Sequence, residues 1–385
     1  MKLTIHNIVF LFLIFNLAFP IDAISDGPPK PKKWKGEGEV LEFESIPVIT
    51  VKDFLNGKVP EKAQTIWGTL NFPANAPDKN VPVVVVLHGG GGIHNAEEQW
   101  LSVFYSMGLA TFMVDSNYPR RKCKKTFKKA IPNCKDVHRG ITRIVDARRA
   151  LELLSKHPRI DPERIGCIGS SLGGVGCLYQ SVKRFQKMWG APGLEFAASV
   201  PMYPVCNFKY IDDDIMSDEP IHIHIGDLDQ YGSAESCVKY VERLRLKGKD
   251  ITITVYPGVH HSFDAKIMGR DGPKTTFKQK GQFFSKCNFE ENTDSSVLNE
   301  ENFGEGFHQI LTQVGFNEWL ANTEEKKIKK LFKWQMKGNK FGYVSPTIIF
   351  DRSCVTKVGT NKYNKEAAKK VTGRVKDFFT TTLKK

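Results

Sequence analysis

Apolar residues fall into two alternating patterns along this chain. A continuous apolar run occupies residues 81–87 (VPVVVVL), and further strand-like segments occupy 109–114, 165–169, 197–203, 221–225 and 251–256. Runs of this length without polar alternation suit parallel strands covered on both faces. Between them lie segments whose apolar residues recur at helical spacing: 97–107, 139–155, 172–188, 234–246 and 365–383. In 139–155 the stripe is Ile141, Ile144, Val145, Ala150, Leu151 and Leu154; in 365–383 it is Ala367, Val371, Val375 and Phe378. Such stripes bury one side of a helix against a sheet. The alternation predicts an α/β fold with a doubly wound, mostly parallel sheet. Residues 40–46 and 65–72 read as extra strands at its leading edge, expected to run antiparallel. No internal repeat is visible.

With 41% hydrophobic and 25% charged residues in 385, the chain is neither a disordered nor a fibrous sequence. The net charge is 56 − 42 = +14. From Lys266 to Lys385 there are 23 basic and 13 acidic residues, a net of +10, so the rest carries only +4. A basic C-terminal region suits anionic partners such as lipid or polysaccharide. Nucleic acid is not expected, because the first residues resemble an export signal. Lys2 precedes an apolar run from Ile8 to Phe15, extended by Leu17, Ala18 and Phe19, and Asp22-Ala23 offers a small residue for cleavage. The run is shorter than the roughly 20 apolar residues of a membrane span. The expected organisation is a signal peptide at 1–23, a flexible Pro/Lys/Gly-rich linker at 24–39 and a catalytic domain at 40–385, in a periplasmic or secreted protein.

Outside the cytoplasm the eight Cys become disulfide candidates. Cys123 with Cys134 would close a basic loop, Cys206 with Cys237 would join neighbouring strand ends, and Cys287 with Cys354 would staple the C-terminal region. Cys167 and Cys177 are expected to be free, buried thiols. No CxxC spacing supports zinc.

The chemistry sits at strand ends. Gly169-Ser170-Ser171-Leu172-Gly173 is a G-x-S-x-G pattern between a strand and a helix. A serine on so sharp a turn projects at a helix N-terminus, where the backbone dipoles favour negative charge. A serine nucleophile needs a base, and the base an orienting carboxylate. Asp227 and Asp229 follow the fifth parallel strand, and His260 and His261 follow the sixth. Both pairs lie where open α/β sheets form their sites. Two backbone N–H groups must also face the developing oxyanion. Candidates are Leu172 and the loop His88-Gly89-Gly90-Gly91-Gly92, which lacks the GK[ST] of a phosphate loop.

These segments resemble the dienelactone hydrolase family of the α/β-hydrolase superfamily. The resemblance is carried by VVVVLHGGGG, DSNYPRR, DARRALELLSKHPRIDPERIGCIGSSLGG, HIGDLDQ, YPGVHHSFD and the closing helix YNKEAAKKVTGRVKDFF. It implies an α/β-hydrolase fold with Ser171 as nucleophile, Asp229 rather than Asp227 as acid, His261 rather than His260 as base, and Gly90 with Leu172 as oxyanion donors. It implies carboxylic ester hydrolysis through an acyl-enzyme, a small-molecule ester as partner, and no cofactor. The family's founding members carry a Cys nucleophile and a Glu after the first strand's His; here Ser171 and Gly89 stand in those places. A peptidase or other acyl hydrolase on the same fold, or a non-catalytic binder of anionic surfaces, are the alternatives.

Between the base and the last helix, residues 266–359 form an insertion that leaves from the mouth of the site, as a lid or substrate platform would. Within it residues 324–336 read as a basic amphipathic helix, more simply a solvated charged face than a membrane contact. Arg120 and Arg121 follow the second parallel strand and are candidates to clamp a substrate carboxylate. His222 and His224 share one face of a strand, but no third ligand is evident, so a metal is not expected.

Overall fold

The computed structural model describes residues 38–47, 49, 51–120, 139–269, 272–283, 285–291, 297–298 and 356–384. The expected signal and most of the linker, Arg121, Cys123, Cys134, Cys354 and the 324–336 helix lie outside the described residues. The main sheet has eight strands: β1 (Glu39–Ser45), β2 (Gln64–Asn71), β3 (Val81–Leu87), β4 (Ala110–Asp115), β5 (Ile160–Ser170), β6 (Ala198–Met202), β8 (Ile221–Gly226) and β9 (Ile251–Tyr256). Their order is β1-β2-β4-β3-β5-β6-β8-β9. β1 pairs with β2, and β2 with β4, antiparallel; all other neighbours are parallel.

Helices cover both faces. They are α1 (Val51–Leu55), α2 (Asn95–Ser106), α3 (Arg139–Ser155), α4 (Leu172–Tyr179), α5 (Lys183–Trp189), α6 (Ala234–Arg245) and α7 (Lys365–Leu383). The VPVVVVL run shows why. Val84 and Val86 join one apolar cluster with Trp100, Phe104, Val371, Val375 and Phe379. Val83, Val85 and Leu87 join a second with Ala147, Ala150, Leu151 and Leu154. A strand with apolar residues at successive positions needs a packing layer on each side. β3 is accordingly buried over almost its whole length.

Some expectations need correction. Residues 172–188 do not form one helix: the chain breaks between α4 and α5, where Val182 is extended (φ −66°, ψ 119°) and bridges to Met216. In α7 the fully buried aromatic is Phe379, which continues the four-residue spacing Val371, Val375, Phe379, Leu383. Phe378 is only partly buried and lies against His222. Cys167 and Cys177 are not free thiols but a disulfide. α4 folds back over the strand that leads into it, so a residue on β5 and one on α4 end with Cα atoms 5.8 Å apart. Cys206 and Cys237 are joined as expected. Cys287 is disulfide-bonded too, and its expected partner Cys354 lies outside the described residues.

The described part of the insertion is built of strands. β10 (Ile267–Gly269) and β11 (Gly272–Lys274) form a hairpin. β12 (Thr276–Phe283) pairs antiparallel with β15 (Thr356–Lys362), the two ends of the insertion meeting as a ribbon. β13 (Phe289–Glu291) pairs with β14 (Val297–Leu298) and runs parallel to β7 (Phe208–Lys209) of the body. Arg184 on α5 donates from Nη2 to both Glu291 carboxylate oxygens at 2.9 and 2.6 Å, fastening this piece to the body. Among the described residues no helix is long and apolar enough to cross a membrane.

Candidate active site

Ser171, between β5 and α4, has a positive φ of 55° with ψ −111°. A side chain at positive φ is strained. Here the strain is held by packing that no larger residue would allow. A Cβ on Gly169 would lie 2.2 Å from the Gly173 carbonyl oxygen, and one on Gly173 would lie 2.1 Å from the Leu87 carbonyl oxygen. The two glycines let α4 start directly over the ends of β3 and β5. The Ser171 N–H donates to the Met202 carbonyl at 2.9 Å, fixing the turn to β6.

His261, nearly buried, follows β9 and brings Nε2 to 3.0 Å from Ser171 Oγ. Its Nδ1 lies 2.6 Å from Asp229 Oδ2. The other Asp229 oxygen accepts the N–H groups of Tyr231 (2.8 Å) and Gly232 (3.0 Å), so the carboxylate is fixed by its own loop. The imidazole thus lies between a carboxylate on its Nδ1 side and the serine hydroxyl on its Nε2 side. Asp227 instead accepts the Val259 N–H, and His260 contacts the Leu228 carbonyl, so neither joins the Ser171 group.

Opposite Ser171 runs the four-glycine loop. Gly89 is so close that an added Cβ would lie 3.5 Å from Ser171 Cβ, and one on Gly90 would lie 3.3 Å from Leu172 Cδ1. Leu172 is the first residue of α4, so its N–H has no acceptor within the helix. The loop's anchors were not legible as such. His88 is buried; its Nε2 accepts the Ser116 N–H at 3.1 Å, leaving Nδ1 to donate to the Gly89 carbonyl at 2.7 Å. Burial, followed by the Arg143 charge, holds its pKa well below the usual histidine range. Glu97, on the first turn of α2, accepts the Gly89 N–H at 3.3 Å and the His94 N–H at 3.0 Å. Burial pushes its carboxyl up to about 7.

Two tyrosine rings touch the imidazole. Tyr231 stacks on His261 with centroids 4.4 Å apart, and Tyr203 meets it edge-on at 4.7 Å. The Tyr203 hydroxyl donates to buried Asp264 at 2.9 Å, and Asp264 also accepts from Trp100 (3.1 Å) and Gln99 (3.0 Å). Burial raises the Asp264 pKa. Asp264 closes the YPGVHHSFD motif, three residues after His261, and Tyr231 directly follows the HIGDLDQ motif, two residues after Asp229. Nothing in the sequence marks Tyr203 or Glu97.

Arg120 does not face this site. Its guanidinium is buried and forks onto Asp146 at 2.9 and 2.8 Å, and its remaining N–H groups go to the Ile46 and Ser116 carbonyls. No N–H is left for a substrate carboxylate, so Arg120 is an internal tie between β4's end, α3 and the segment after β1. His222 and His224 lie on one face of β8 with ring centroids 4.1 Å apart, contacting Thr254 and Tyr256. Among the described residues no cluster of three or more His, Cys, Asp or Glu suits a metal. Burial, followed by the nearby Arg374 charge, holds the His222 pKa down at about 4.

A parallel sheet flanked by helices, with the serine at a strand–helix elbow and the acid and histidine at later strand ends, is the α/β-hydrolase architecture. The chain belongs to the dienelactone hydrolase family, whose model matches residues 67–279, and it is thus a member of a hydrolase family. Solved structures of this fold are similar at low identity. Esterase 2 of Thermogutta terrifontis, phosphorylated by paraoxon, is 16% identical over 52% of this chain and 80% of its own, with a TM-score of 0.41. A putative dienelactone hydrolase of Klebsiella pneumoniae is 16% identical over 59% and 89%, with a TM-score of 0.42. No curated protein matches the chain.

Proposed function

We propose that the chain is an exported serine hydrolase that cleaves carboxylic esters through an acyl-enzyme on Ser171. The observation that carries this reading is the continuous line from Ser171 Oγ to His261 Nε2 (3.0 Å) and from His261 Nδ1 to Asp229 (2.6 Å), built on a strained elbow. His261 takes the serine proton as Oγ attacks the ester carbonyl, and the Leu172 and Gly90 N–H groups receive the oxyanion. The tetrahedral adduct collapses, the C–O bond to the alcohol breaks, and His261 returns the proton to the leaving alcohol. Water, deprotonated by His261, then attacks the acyl carbon; the bond to Ser171 Oγ breaks, His261 returns the proton to Oγ, and the acid leaves. Asp229 holds the tautomer and stabilises the imidazolium. Hydrolysis consumes only water, so the cycle needs no further reactant. Export is supported by the signal-like first residues and by disulfides Cys167–Cys177 and Cys206–Cys237, which persist in oxidising compartments. The test is labelling of the purified chain with a fluorophosphonate and mapping of the adduct. The reading requires stoichiometric labelling at Ser171 that is lost in His261→Ala. A folded protein labelled elsewhere, or not at all, would refute it.

A further inference from the structure

The ends of the insertion meet at the triad rather than beside it. Tyr231, stacked on the His261 imidazole, sits in a socket made by the β12–β15 ribbon. The Asn361 amide N–H donates to the Tyr231 hydroxyl oxygen at 2.7 Å, and that hydroxyl donates to Gln279 Oε1 at 3.3 Å. The Phe283 ring lies 4.6 Å from the tyrosine ring. Gly359 forms the floor: a Cβ there would lie 2.5 Å from Tyr231 Cζ. The same Asn361 accepts the hydroxyl of Ser262, the residue after the base, at 3.0 Å. Two more bonds join the ribbon to these loops. The Thr360 N–H donates to Gln230 Oε1 at 3.0 Å, and the Lys362 N–H to the His261 carbonyl at 3.0 Å. Asn361 is nearly buried, and burial raises the Tyr231 pKa, so the phenol stays a neutral donor. One amide therefore bridges the loop that carries Asp229 and the loop that carries His261.

We propose that this ribbon is a working part of the site: it seats Tyr231 on the His261 imidazole and, through Asn361, ties the acid loop to the base loop. Tyr231 and Asn361 are then positioning residues, and the insertion is required for turnover, not only for access. The proposal rests on the Ser171–His261–Asp229 reading above.

The test uses the full chain and p-nitrophenyl acetate. Gly359→Ala pushes a methyl into the socket, Asn361→Leu removes the bridge without filling it, and Tyr231→Ala removes the seated ring. Each is expected to lower kcat by about ten- to a hundredfold, as misplaced catalytic groups do, with KM little changed and cooperative unfolding retained. Gly359→Ala should cost nothing more in the Tyr231→Ala background, because both act through one ring. Wild-type kcat in a folded Asn361→Leu chain would overturn the proposal, as would losses that multiply in the double variant. Asn361→Leu and Tyr231→Ala carry the test if Gly359→Ala does not fold. If the wild type neither turns over nor labels at Ser171, the functional reading has failed. The ribbon is then judged by NMR titration of the His261 imidazole, which must change in Asn361→Leu; an unchanged titration would refute it.

Discussion

Among the described residues several buried carboxylates hold a basic side chain, and two of them bear comparison because only one belongs to the candidate site. Asp229 pairs with His261 at 2.6 Å and Asp146 with Arg120 at 2.8 Å. Both basic partners follow strands of the main sheet, at the end where such folds do chemistry. The difference lies in what the base has left over. Every N–H of Arg120 is engaged by Asp146 or a carbonyl, so the pair is closed. His261 keeps Nε2 directed at a strained serine. A buried charge pair at a strand end is therefore no sign of function by itself. An unspent donor or acceptor aimed at a nucleophile is.

The contrast breaks hardest at Asp229. Asp229→Asn should lower kcat by about 10⁴-fold, because the imidazole then presents the wrong tautomer, while thermal stability changes little. At the other pair the effect should be reversed. Arg120→Met leaves Asp146 charged and buried, and should destabilise the fold by about 3–5 kcal/mol with KM for an anionic ester unchanged. Denaturant unfolding beside steady-state kinetics separates the two outcomes. A raised KM specific to anionic esters in Arg120→Met would restore the clamp that the buried geometry rules out.

A second pair of carboxylates sharpens the point at smaller scale. Burial pushes both Glu97 and Glu219 up to about 7. Glu219 lies just before β8, bonded to Gln180 and Ser199, away from the serine. With folded pKa values near 7 and ordinary values of 4.5, each group is protonated in the folded chain and ionised in the unfolded chain between those limits. Their contribution to stability is thus complete below the unfolded value and is lost as pH rises through about 7. Glu219→Gln should flatten that slope by up to about 3 kcal/mol without altering kcat, as measured by urea unfolding across the window. Glu97→Gln can no longer accept both the Gly89 and His94 N–H groups. It should loosen the glycine loop and lower kcat by about tenfold with KM held, a fraction of the loss from removing an oxyanion donor outright.

What the sequence disclosed divides along the same physical line. The sheet was readable because a strand buried on both faces must be apolar throughout, as VPVVVVL is. The elbow was readable because Gly169 and Gly173 answer a local steric demand. Asp229 and His261 were readable through the spacing of the motifs around them. Contacts that depend on distant segments were not. Arg120 looked like a substrate clamp because Asp146, its partner, is 26 residues away on α3. Cys167 and Cys177 looked like separate thiols because only the folding back of α4 opposes them. Glu97 carries no motif, and Asn361 lies beyond the insertion, 130 positions from Tyr231.

The most direct measurement is rapid mixing of the full chain with an activated ester, followed by time-resolved mass analysis of the intact protein and of its peptides. The account predicts a covalent acyl group on Ser171 that forms within the first turnover and decays as acid is released, and that is absent from Ser171→Ala. Ester turnover with no acyl group on Ser171, or undiminished turnover by Ser171→Ala, would contradict it.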